Sequence, residues 1–88
     1  MEIEDKYNDI IIPEDMEVLI EDIAKEIHTS WLRWKKDEGF TLAQEKNYEK
    51  KTHPHMKLWE NLPEEHKASD YLAARYALKV LIAKERVK

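Results

Sequence analysis

The sequence predicts a mainly α domain with short β segments: two principal helices packed together and joined by a long, ordered connector. Three observations carry this. Apolar residues recur at spacings of three and four in two separate stretches, the chain of 88 residues has a single glycine, and the segment between the two stretches keeps enough apolar side chains to be held in place. Scarce glycine leaves few positions for the left-handed residues that tight hairpins need, which argues against a sheet-rich fold.

The first helix opens at Pro13, a residue suited to a first helical position, and Glu14 and Asp15 complement the positive end of the helix dipole. Met16, Leu19, Ile20, Ile23, Ala24, Ile27, Trp31 and Trp34 form its apolar stripe. Lys35 and Lys36 suit the last turn, and Gly39 stands where a left-handed residue closes a helix. The second helix begins near Pro63, again a proline followed by two acids, and carries Ala68, Tyr71, Leu72, Ala74, Leu78, Leu81 and Ile82 up to about Arg86. Ser69 or Asp70 is a candidate cap for a restarted helix, which would make 63–67 a separate turn. The connector from Gly39 to Leu62 is longer than most in compact domains, so it is functional or carries its own short strands. Phe40, Leu42, Tyr48, Met56, Leu58 and Trp59 pin it down.

A chain this short makes one domain, expected over 10–86 after an N-terminal tail of 1–9. Charged residues are 39% of it and hydrophobic ones 42%, a thin balance for a small core, so self-association or a partner surface would help. The absence of cysteine and the acidic, polar start "MEIEDKYND" lead us to expect a cytoplasmic protein. No stretch approaches eighteen apolar residues, so no membrane partner is expected. The net charge of −4 argues against duplex nucleic acid, while the basic middle of the chain leaves room for a small anionic ligand.

"KKTHPHMKLWENLPEEHKASD", Lys50 to Asp70, holds three of the four histidines. His53 and His55 would project to one side of an extended segment and, with His66, offer nitrogen ligands, but the spacing matches no recognised metal set and none is expected. His28 lies at the edge of the first helix's stripe, where a neutral imidazole usually bonds to backbone. By periodicity Trp31 is core, while Trp34 and Trp59 are the tryptophans expected to be exposed. No Ser/His/Asp arrangement, apolar carboxylate pair or glycine-rich phosphate loop is legible, so neither a catalytic residue nor a cofactor is expected and the protein is read as a non-enzyme.

Read in order, "IHTSW", "DEGF" and "KTHPHMKLWENLPEEHKASD" resemble the ryanodine-receptor repeat (RyR domain). The matching positions are His28, Trp31, Gly39, Phe40, Lys51, His53, Pro54, Leu62, Pro63, Glu64, Lys67 and Asp70. The chain departs from the pattern at Leu42 and Ala43, where Tyr-Gly is usual, at Leu58, where proline is, at Lys46, where arginine is common, and at Tyr71, where an arginine often follows the Asp. The resemblance implies two main helices with short strands, and an interaction module without a pore of its own. It also implies pairing of a lone copy into a homodimer, in place of the tandem pair, and an adenine-type nucleotide stacked on Trp31. On that basis His28, Trp31, Lys46, Lys51, His53 and Trp59 are the candidate ligand-binding residues. Gly39, Phe40, Pro54, Leu62, Pro63 and Asp70 are the candidate framework. The bland alternative is a structural, protein-interaction domain whose tryptophans are core and interface.

Overall fold

The computed structural model describes residues 1–85. Its elements in chain order are α1 (Glu14–Glu17), α2 (Leu19–Asp37), β1 (Thr41–Leu42), β2 (Thr52–His53), a single 3-10 turn (Trp59–Asn61) and α3 (Glu64–Glu85). The fold is thus mainly α, with two long helices and a two-stranded parallel sheet in which Thr41 pairs Thr52 and Leu42 pairs His53.

The first predicted helix is divided. α1 is one turn, and Val18, still near helical dihedrals at φ −65° and ψ −19°, joins it to α2. Pro13 lies one place earlier than expected, outside the helix at ψ 149°. The far end of α2 is closed as the sequence predicts. Gly39 takes φ +94°, its N–H donates to the Lys36 carbonyl (2.9 Å) and the Phe40 N–H donates to that of Lys35 (2.9 Å). Those two bonds satisfy carbonyls that a helix end otherwise leaves bare. The Lys51 ammonium adds a third, donating to the Glu38 carbonyl at 2.7 Å.

α3 does not restart at Ser69 or Asp70; it runs unbroken from Glu64. Alanines at 68, 73, 74 and 77, the best helix formers, outweigh the capping tendency of the two polar residues. Arg86, the end expected for the helix and the domain, lies outside the described residues. At the other end the 1–9 segment touches the body, with Tyr7 edge-on to Tyr76 at 5.6 Å between ring centroids.

α2 and α3 pack against one another. Ile20 and Ala24 from α2 meet Ala74, Leu78 and Ile82 from α3, with Ile12, Trp59 and Leu62 completing the core. Ala24 and Ala74 are fully inaccessible, so the two backbones approach closely there. Trp59, expected at the surface, is buried at 6% exposure in that core, edge-on to Tyr71 (5.5 Å). Trp34 is exposed at 59%. Its ring and those of Phe40 and Tyr48 surround the Lys35 ammonium at 4.4, 4.7 and 5.8 Å, which holds the start of the connector against α2.

Candidate ligand-binding cleft

A cleft of about 300 Å³ opens where α2, the connector and α3 come together. α2 supplies Ile27, His28 and Trp31, the connector supplies His55 and Leu62, and α3 supplies His66, Ser69 and Asp70. Helical spacing explains both helix contributions. Residues 27, 28 and 31 share one face of α2, and 66, 69 and 70 share one face of α3.

Each histidine has a fixed place around Trp31. His28 is buried, and its Nε2–H donates to the Lys57 carbonyl at 2.7 Å, as a carbonyl can only accept. That bond ties the connector to α2 and orients the imidazole to stack with Trp31, 5.8 Å between centroids at 21°. His53 is buried on the other side, edge-on to Trp31 at 4.9 Å. Its Nδ1 accepts the His55 backbone N–H at 3.0 Å. The rings of His53 and His55 do lie together, 4.9 Å apart, but a turn at Pro54 brings them there and not a continued strand. His55 then meets His66 at 3.4 Å between centroids.

Crowding sets the electrostatics. Burial, followed by the charges of Lys46, Lys35 and His66, lowers the pKa of His53. Burial and the neighbouring His66 and His53 lower that of His55. Asp70 moves the opposite way: loss of water raises its pKa, with His28 nearby opposing the change. An imidazole held toward its neutral form at His55 and one poorly solvated carboxyl at Asp70 suit hydrogen bonding to a polar ring.

The match to the RyR domain model extends over residues 6–86. The chain belongs to the RyR domain family. No curated protein is significantly similar to it.

Within this RyR domain the candidate ligand residues separate. His28 and Trp31 line the cleft and His53 supports Trp31 from behind. Trp59 is in the core beneath, 6.4 Å from His28. Neither Lys46 nor Lys51 lines the cleft: Lys46 lies over the Tyr48 ring at 5.0 Å and Lys51 is engaged at the end of α2. Among the framework positions, Gly39 and Phe40 close α2, Pro54 turns the chain after β2, and Pro63 immediately precedes α3. Leu62 and Asp70 both reach the cleft lining. His55, His66, Ser69 and Asp70 were not on the list of ligand residues read from sequence. The signal for the α3 pair was their spacing of four, which puts His66 and Asp70 on one helix face. Among the described residues no group of three or more His, Asp or Glu side chains is placed to hold a metal ion, and no helix is long and apolar enough to cross a membrane.

Proposed function

We propose that this RyR domain is a non-enzymatic cytoplasmic binding module whose cleft takes the planar base of an adenine-type nucleotide, stacked on Trp31. The observation that supports it is the placement of that tryptophan: half-buried, in the wall of a cleft, with its ring positioned by His28 and His53. A flat ring held by its neighbours costs little entropy to present, and stacking a base on such a ring contributes about 1–3 kcal/mol. A volume of about 300 Å³ is at the small end of ligand sites and fits a base better than a whole nucleotide.

Calorimetric titration with adenosine, AMP and ATP up to millimolar concentration tests the reading. Saturable heat with the parent chain, weakened about tenfold or more by Trp31→Ala, is expected from the stacking term. No heat with any of the three overturns it.

A second reading, self-association into a homodimer, is favoured by α3. Ala74, Leu78 and Ile82 face the core, while Leu72 and Tyr76 are exposed on the far side.

A further inference from the structure

We infer that Asp70 selects the ligand: its carboxylate accepts a donor N–H from the edge of the ring stacked on Trp31, so the cleft takes aminated heterocycles and draws its affinity from the base, not from phosphate. This rests on the base-stacking function proposed above and names what that site reads.

Asp70 is half-buried in the cleft, and among the described residues it makes neither a hydrogen bond nor an ion pair. What sets Asp70 apart from the exposed acids is its place in the cleft lining and its partial burial. Burial has taken part of its hydration away, and a ligand that brings an N–H restores what burial took. Its pKa is raised for the same reason, loss of water.

The position of Asp70 suits edge recognition. It projects from α3 one turn beyond His66, while Trp31 comes from α2 on another wall of the same cleft. A ring lying on Trp31 therefore presents its edge to α3. The exocyclic amine of an adenine-type ring can donate to Asp70, and an imidazole N–H of His66 can donate to a ring nitrogen beside that amine.

Charge excludes the opposite arrangement, with phosphate inside. No lysine or arginine is among the lining residues, and an entering phosphate would meet the like charge of Asp70. The ring goes in and phosphates stay in solvent.

The test compares adenosine with purine riboside, which has the same ring without the amine, by calorimetry on the full chain. Adenosine is expected to bind about tenfold or more tightly, the range of a hydrogen bond to a charged acceptor. Asp70→Ala should abolish that gap, Asp70→Asn, whose side-chain carbonyl still accepts, should keep part of it, and ATP should match adenosine within about threefold. Circular dichroism melting confirms that each variant is folded. Equal binding of the two nucleosides, a gap that survives Asp70→Ala, or a strong preference for ATP overturns the role of Asp70 while leaving base stacking intact. Silence from every compound overturns both.

Discussion

His53, His55 and His66 stand ring to ring, with 4.9 Å between the first two and 3.4 Å between the last two. Protons there are disfavoured by burial first and by like charge second, from Lys46, Lys35 and His66 at His53, and from His66, His53, Lys57 and His28 at His55. Both pKa values therefore fall below the ordinary 6.5 in the folded protein. As pH drops, the unfolded chain takes up protons first. The stability held by neutral imidazoles is present above about pH 6.5 and is lost as pH falls through the folded values. Urea midpoints followed by circular dichroism from pH 8 to 5.5, above the range where carboxylates titrate, are expected to fall at the acidic end, and less so in His55→Asn. A flat profile would mean that water reaches these rings freely. Of these residues the sequence made only part legible. Periodicity called Trp31 core and the RyR resemblance called it pocket, and a half-buried ring in a cleft wall is between the two. Trp59 was misread because a connector has no periodicity from which to read a buried side.

At the scale of elements, the junction between α2 and the connector fixes where His53 arrives. Gly39 makes the left-handed turn, and a Cβ there would meet Lys51 Cδ at an ordinary 3.5 Å, so space is not the constraint. The backbone conformation is. Gly39→Ala is expected to cost about 1–2 kcal/mol, which for a domain of this size lowers the melting temperature by about 4–8 °C or more. Scanning calorimetry checks this, and an unchanged melting temperature would show that the turn relaxes without loss. Both long helices were legible because stripe, opening acids and closing glycine agree with one another. The β1–β2 pair could be anticipated only as short strands somewhere in the connector. Two residues per strand carry no pattern, and their pairing depends on where the end of α2 delivers Thr41 against Thr52.

For the whole molecule, the uncovered side of α3 decides whether the domain works alone. Leu72 (69% exposed) and Tyr76 (47%) lie on it, with Tyr7 shielding only one edge. If a second copy covers this side, sedimentation at increasing concentration should show a dimer, and Leu72→Glu should shift it to monomer without changing the melt of the monomeric fold. A parent chain that stays monomeric at about 100 µM, well above the micromolar Kd range of functional pairs, would rule the homodimer out. The single glycine has a further consequence, on the chain before it folds. Glycine is the residue that loses most freedom on ordering, so a sequence with only one starts from a stiffer, less diverse unfolded ensemble. Lys51 follows the same economy, adopting φ +53° where glycine would be unstrained and holding the Glu38 carbonyl with the side chain that glycine lacks. A domain with so small a core therefore owes some of its stability to how little disorder it gives up.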